Sequence, residues 1–484
     1  MPSPSVTDVG AAPMPGMSVA TGAAATTRTA PGTGATTLTG AAIGTATVPA
    51  ATRPAVATQP AAVAASKAGS PPGPIPAVTP AVTFIIPLHN GAAHITATLA
   101  SVAVQDPPPP ATATAIALHD DASTDGGVGL AVALDALPPL LSAGMSVTLS
   151  RSSVRGGVGG ARNAAVTATP AGSVLVFLDA DDVAAPDRAA RSVAAVRHAD
   201  AAVNAAAATA AAGGGDGARG CPGVLVGGTF TRLPADATPR YTAYHARRWA
   251  AATAFRDAPL AMPTLACSRS TWVAAGGFPV GVGVPEDLGF QYAHGARGGG
   301  YVKLGGSALV AYRRVVGGAS DGLSRRVLLG VRVAAFERLV LRTSGGNTGR
   351  AAALGGAAVF PPLDLPGEAD ATGGCLTPPA RDWSSFMIWS AGRDGRQLYG
   401  ALSPTARASV TAFVDIDPRK VGRSVGGSGG RGAHPGVPVV GLHDLTPPWV
   451  CAVALDRGRG YEAAVAAAVA RTGAVAGVDF FYLV

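Results

Sequence analysis

Apolar and polar positions alternate along this chain in two rhythms, and the first clear one begins at residue 81. Residues 81–90 (AVTFIIPLHN) are a near-continuous apolar run closed by Pro87, His89 and Asn90, the pattern of a strand buried on both faces. Residues 94–105 then carry Ile95, Leu99 and Val102 at helical spacing, and the proline run at 107–110 ends that helix. Residues 113–118 predict a second strand, 128–137 a second helix and 147–149 a short third strand. A basic glycine-rich loop, RSSVRGGVGGARNAAV, opens the next helix, and residues 174–178 (VLVFL) form another buried strand. Such alternation predicts a mostly parallel sheet with helices on its faces. Beyond a Gly/Ala/Pro-rich stretch, FMIWSAGRDGRQLYGAL reads as strand, glycine turn and helix. TAFVDIDPRK and residues 437–440, 450–455 and 479–483 read as further strands. The expected organisation is an α/β domain over residues 81–343, a linker over 344–381 and a small Rossmann-like α/β domain over 382–484. Residues 1–80 precede them as a disordered Ala/Thr/Pro-rich extension.

The ends of two strands change this picture. Asp179, Asp181 and Asp182 crowd the end of the 174–178 run, where each carboxylate raises the cost of ionising its neighbours. A divalent cation would remove that cost, since hard cations take oxygen ligands. Asp182 is placed to cap the helix that starts near Pro186, which leaves Asp179 and Asp181 unexplained. The second strand also ends in acids, HDDASTDGG, with Asp120, Asp121 and Asp125. Parallel sheets bind ligands beyond the carboxyl ends of their strands, so both clusters can face one crevice.

Bulk properties narrow the class. The chain of 484 residues has room for two domains and an extension, and its formal charge of +8 permits an acidic partner without requiring one. Cys221, Cys267, Cys375 and Cys451 lie far apart, which argues against a zinc site or a disulfide framework. Residues 1–80 hold one acid, Asp8, against Arg28, Arg53 and Lys67, too little apolar surface to offset ordering entropy; an organelle transit peptide is the alternative. The Ala-rich run at 201–212 is interrupted by Asn204 and is too short to span a bilayer. With no signal-peptide pattern, the expected location is cytoplasmic, away from membranes.

The order IIPLHN, DDASTDGG, GGVGGARN, FLDADD, then MPTLACSRSTWVAAGGFP and VPEDLGFQYAHGARGG, resembles the inverting glycosyltransferases of family 2 over about residues 82–314. The resemblance implies a GT-A fold, a UDP-sugar donor and a divalent metal, Mn²⁺ or Mg²⁺, stabilising the leaving diphosphate. It places Asp181 as metal ligand, with Asp179 beside it on the metal or the ribose. It places Pro87 (through its backbone), His89 and Asp120 or Asp121 at the uracil, and Arg162 within reach of the nucleotide. Asp287 becomes the base that takes the acceptor proton, and Glu286 orients it or binds the acceptor. One departure stands out. Family members often carry a histidine shortly after a Tyr-Arg pair, and this chain reads AYRRVVGGAS. His294 lies in the preceding helix, and Arg313 or Arg314 could neutralise diphosphate charge instead.

The C-terminal motifs F-x-I-W-x-A-G, AFVDID, PPWVCAVALD and the closing G-x-D-F, with VGGTFTRLPADATPRYTAY before the acceptor segment, resemble the queuosine-tRNA galactosyltransferases. That resemblance implies transfer of galactose from UDP-galactose to the queuosine base at a tRNA wobble position. For the RNA, residues 324–342 form a basic amphipathic helix with Arg325, Arg326, Arg332, Arg338 and Arg342, and Arg247, Arg248 and Trp249 add charge and a stacking ring. A solvated helix face packed on a core is the alternative. Gly392, Gly395 and Asp415 sketch a dinucleotide turn, but Ser390 occupies its first glycine position, so no live site is expected there. The competing functions are a UDP-sugar transferase acting on a glycan or lipid, and a non-catalytic tRNA- or nucleotide-binding protein. Asp121, Asp179, Asp181 and Asp287 together argue against the latter.

Overall fold

A computed structural model describes residues 34–38, 82–106, 114–212, 222–341, 368, 370–376, 381–426, 436–453 and 459–483. In chain order the first half runs β1 (Gly34–Leu38), β2 (Val82–Leu88), α1 (Ile95–Ala103), β3 (Thr114–Asp120), α2 (Val128–Asp135), α3 (Pro138–Ser142), β4 (Ser146–Arg151), α4 (Gly157–Thr167), β5 (Val174–Phe177), β6 (Val183–Ala184) and α5 (Arg188–Ala212). It continues with β7 (Val224–Gly227), β8 (Phe230–Leu233), α6 (Pro239–Ala246), β9 (Ala266–Ser268), α7 (Arg269–Ala275), α8 (Glu286–Gly295), β10 (Gly300–Lys303), β11 (Val310–Arg313), α9 (Arg325–Phe336) and β12 (Thr372–Cys375).

The main sheet has the order β1-β4-β3-β2-β5-β9-β7-β10-β12. Its β4-β3-β2-β5 half is parallel, as the alternation implied. The other half is mixed, because β9 runs antiparallel to both β5 and β7. Every residue of β2 and β3 is buried, as expected of strands covered on both faces. Pro87 sits within β2, so the strand does not stop there. It is tolerated because β5 pairs only as far as Ile85, and a missing N–H at Pro87 costs no ladder bond on that side.

Two expectations change. The presumed linker, residues 344–381, contributes β12, which pairs antiparallel with β10 and extends the main sheet. Glu368 also binds Arg191 of α5 at 2.5 Å. Gly374 makes this docking possible: a Cβ there would lie 2.3 Å from the Trp249 ring. Within residues 1–80, the disorder expected from composition fails at Gly34–Leu38, which pairs along β4; the open edge of β4 is a template for any extended segment. The rest of that extension, and its transit-peptide alternative, lie outside the described residues, as does Cys221.

The C-terminal domain comprises β13 (Phe386–Trp389), α10 (Arg393–Ala401), α11 (Pro404–Ala408), β14 (Val410–Val414), β15 (Ser424–Val425), β16 (Val437–Val440), β17 (Trp449–Cys451), α12 (Arg459–Thr472) and β18 (Phe480–Tyr482). Its sheet order is β15-β16-β14-β13-β17-β18. All neighbours run parallel except β15 at the edge, a doubly wound Rossmann-like arrangement. Asp415, expected at a ribose position, accepts the Ala391 N–H at 3.0 Å and pairs with Lys420 at 2.9 Å.

The two domains share one core. Phe336 on α9 is fully buried and meets Phe255, Trp383, Phe386 and Phe481, with ring centres 5.6–6.2 Å apart. The basic helix expected for RNA thus buries its apolar stripe between the domains. Arg325, Arg326 and Arg338 remain exposed, and Arg332 faces Asp257 at 3.6 Å. Arg342 lies outside the described residues. Among the described residues no helix is long and apolar enough to cross a membrane.

Candidate active site

The site is built on the carboxyl ends of β3, β2 and β5, which are adjacent in the sheet. After β2, Asn90 turns into the left-handed region (φ 53°), which an asparagine tolerates. Its amide oxygen accepts the N–H groups of Thr124 and Asp125 at 2.8 and 3.2 Å, locking the β2 and β3 loops together. His89 donates from Nδ1 to the carbonyl of Asp121 at 3.0 Å, which orients the ring at the rim and sets its tautomer.

The two adjacent acids of the second cluster do different work. Asp120 is fully buried; it accepts from the Ser123 backbone and hydroxyl at 3.0 and 2.5 Å and pairs with Arg151 at 3.0 Å. All of these partners lie in the protein, so Asp120 organises the loop. Asp121 accepts the Gly156 N–H at 2.6 Å. Gly156 in turn accepts the Gly281 N–H at 2.8 Å, which joins the β3 loop and the glycine loop to the turn before α8.

The glycine-rich loop has a packing reason. A Cβ on Gly159 would lie 2.2 Å from the Pro279 carbonyl and 2.9 Å from the Glu286 Cβ. On Gly157, where φ is +78°, it would lie 2.2 Å from the Gly281 carbonyl. Only glycine lets α4 approach the turn before α8 this closely. Asn163 clamps that turn, exchanging hydrogen bonds of 2.8 Å with the backbone of Phe278.

Arg162 is the joint of the site. It is 2 % exposed and donates from Nη2 to Asp179 at 2.5 Å and from Nη1 to Glu286 at 2.7 Å. Burial works against its charge, but Asp179 and Glu286 outweigh burial and hold the guanidinium protonated. Sequence alone had it reaching the nucleotide; here its Nη groups position an acid on each side of the crevice.

The acidic turn after β5 separates into distinct roles. Asp182 does not cap α5, which starts only at Arg188. It is fully buried, accepts the Arg313 N–H at 2.7 Å, and so ties the turn to the end of β11. Burial, with Asp179 and Asp181 nearby, pushes its carboxyl up to about 9. Arg188, missed in the sequence, lies behind the turn and donates to the Phe177 carbonyl; burial lowers it to about 9. Its signal was only an arginine at the first turn of a helix. Asp181 is partly open, and burial plus the Asp179 charge raise it to about 6.

On the other side, Asp287 is the second residue of α8 and its Oδ1 accepts the Leu288 N–H at 2.7 Å. Burial, then the neighbouring Glu286 charge, push its carboxyl up to about 7. His294 is buried, hydrogen-bonded to the Gly300 carbonyl at 3.0 Å and lowered to about 4 by burial, which makes it a core histidine. Arg313 donates from Nε to the Asp181 carbonyl at 2.9 Å, whereas Arg314 pairs with Asp321. Trp249, considered as a base-stacking ring, instead stacks on Tyr301 at 5.8 Å.

The donor set allows a test of metal fit. Asp179, Asp181 and Asp182 share this floor with Arg162, Arg188 and Arg313, and the Asp181 carboxyl is raised by burial and then by the Asp179 charge beside it. The partly open carboxylate oxygens of Asp179 and Asp181 are the hard ligands a divalent cation takes. Among the described residues no group of three or more His, Cys, Asp or Glu converges to hold one, so Asp181 and Asp179 would supply part of a shell that donor oxygens or water complete.

Comparisons with solved structures return a Staphylococcus aureus TarS 1-349 complex with UDP-GlcNAc (18% identity, TM-score 0.36, covering 53% of this chain and 66% of that one). They also return the mannosyltransferase PcManGT of Pyrobaculum calidifontis with GDP-Man and Mn²⁺ (24%, 0.28, 44% and 52%), and GalNAc-T7 with UDP, GalNAc and Mn²⁺ (16%, 0.35, 54% and 48%). This chain spans less than two thirds of each of those chains. Residues 83–246, which hold the β2, β3 and β5 ends and the glycine loop, match the family model described as Glycosyl transferase family 2.

Proposed function

We propose that this chain is an inverting, metal-dependent hexosyltransferase that moves galactose from UDP-galactose onto the queuosine base at a tRNA wobble position. The observation that carries the transferase reading is the Arg162 bridge, which holds Asp179 of the donor turn and Glu286 of the acceptor helix on one guanidinium. The choice of galactose and of queuosine rests on the C-terminal and acceptor-side sequence motifs.

The chemistry assigns the residues as follows. Asp121 and His89 order the rim where a uracil would lie, and Asp120 supports that loop from beneath. A divalent cation bound at Asp181 and Asp179 supplies Lewis-acid stabilisation of the leaving diphosphate. Asp287 takes the proton of the acceptor hydroxyl as that oxygen bonds to the sugar C1 and the bond from C1 to the UDP oxygen breaks. A base that ionises near 7 is half-deprotonated at neutral pH, which matches this task. Glu286, pinned by Arg162, raises Asp287 electrostatically and fixes the start of α8.

The test is transfer from UDP-[³H]galactose to purified tRNA with and without queuosine, in the presence of Mn²⁺. Label is expected only in queuosine-containing tRNA and only from the galactosyl donor. Label entering glycan or lipid acceptors but never that tRNA would make the acceptor assignment wrong. Label from UDP-glucose or UDP-N-acetylglucosamine in place of UDP-galactose would make the sugar wrong.

A further inference from the structure

Arg232 on β8 has no part in the roles assigned so far. It is 7 % exposed. Its guanidinium carbon lies 4.0 Å from the ring centre of Tyr312, 5.1 Å from Phe230 and 5.2 Å from Tyr241. Among the described residues it has no ion-pair or hydrogen-bond partner, and its Nε is buried unsatisfied. Two other buried or half-buried arginines of this domain meet carboxylates, Arg162 two of them and Arg191 Glu368, whereas Arg188 donates only to the Phe177 carbonyl and leaves its Nε and Nη1 without partners. Asp257, a candidate counter-charge nearby, faces Arg332 at 3.6 Å. Rings stacked on a guanidinium return part of its lost hydration, but they contact its face and leave the N–H groups along its edge unmatched.

Its position relates this unmatched cation to the chemistry. Arg232 lies opposite Tyr312 in the β8–β11 register. The next residue, Arg313, binds Asp182 through its backbone and Asp181 through its side chain. The Tyr312 phenol is raised mainly by burial and further by the charges of Asp179, Asp182 and Asp287, so the ring lies within the field of both acidic groups. An always-charged planar fork, held on a fixed aromatic bed, fits the oxygens of a phosphate.

We propose that Arg232 is an anion receptor on the crevice floor that takes a phosphate-type oxyanion of a substrate. The source is the diphosphate of the nucleotide-sugar donor or a backbone phosphate of a nucleic-acid acceptor. This assignment rests on the glycosyl-transfer reading above.

Uridine and UDP affinities are measured by titration calorimetry, with and without Mn²⁺, on the full chain and its Arg232→Gln and Arg232→Lys variants. A donor-side receptor reduces the advantage of UDP over uridine by about tenfold or more in Arg232→Gln and about threefold in Arg232→Lys, with uridine affinity unmoved. An acceptor-side receptor leaves UDP affinity unmoved and raises the KM for tRNA by similar factors. Unchanged UDP affinity together with unchanged acceptor KM overturns the proposal. Arg232→Lys keeps the charge and decides the matter even where Arg232→Gln does not fold. Wild-type protein that binds neither UDP nor uridine refutes the transferase reading instead. Inorganic pyrophosphate then tests the receptor alone: about tenfold weaker binding in Arg232→Gln supports it, and equal binding overturns it.

Discussion

Replacing Asp287 by asparagine removes an ionisable group while keeping the shape of the first turn of α8. An ordinary aspartate ionises near 3.8, and Asp287 ionises near 7 because burial and Glu286 oppose its charge. Below pH 3.8 the carboxyl is protonated in both folded and unfolded chains and contributes nothing. As pH rises from 3.8 to 7 the unfolded chain ionises first, so stability is lost across that window, and the full penalty is present above 7. The interval corresponds to a ceiling of about 4 kcal/mol. An asparagine amide still has to be buried, so about half of that, roughly 2 kcal/mol, should be recovered in the variant at pH 8. In melting temperature this is an increase of roughly 2–3 °C for a cooperative unit that includes both domains. Transfer should fall by about 10²–10⁴-fold, the usual weight of a general base, while calorimetry shows UDP affinity unchanged. In the wild type, kcat/KM should rise about tenfold between pH 6 and pH 8. Transfer at near wild-type rate would remove Asp287 as the base. A variant that melts below wild type at pH 8 would refute the electrostatic account.

Asp181→Ala should abolish the Mn²⁺-dependent part of UDP binding, and a Mn²⁺ titration identical to wild type would overturn its role as ligand. Arg162→Met leaves Asp179 and Glu286 without their shared partner and should cost about 3 kcal/mol in urea unfolding; a shift under about 0.5 kcal/mol would show that the bridge is mechanically idle. Gly159→Ala drives a methyl into the Pro279 carbonyl; a loss of about 1–3 kcal/mol is expected, with reduced transfer, and a neutral effect on both would mean that α4 moves freely against this turn.

Periodicity showed the first, parallel part of the main sheet well, because β2, β3 and β5 are buried runs and burial on both faces leaves a clear trace in composition. Two of the elements that were missed, β1 and β12, have sequences GATTL and TGGC, with no apolar periodicity of their own. Their order comes from pairing to β4 and β10, which is a property of the partner. Within the site, residue types and strand ends located the acids, but partners divided them. Asp120 and Asp121 are neighbours in sequence, yet one closes on Ser123 and Arg151 and the other on Gly156. The cap assigned to Asp182 failed because its oxygen finds Arg313, 131 positions away. Arg162 was expected to reach the nucleotide, and its bridge to Glu286, 124 positions on, leaves no local signature.

The Phe336 cluster has a consequence for synthesis. Its rings come from Phe255, Phe336, Trp383, Phe386 and Phe481, so the last one leaves the ribosome far behind the first. At about 5–20 residues per second, the interval between Phe336 and Phe481 lasts roughly 7–30 s. Through that time the nascent N-terminal half presents an unfinished aromatic face, and its protection falls to chaperones or to transient contacts within the chain. Translation speed over the last third of the message is therefore part of how this chain reaches its native state.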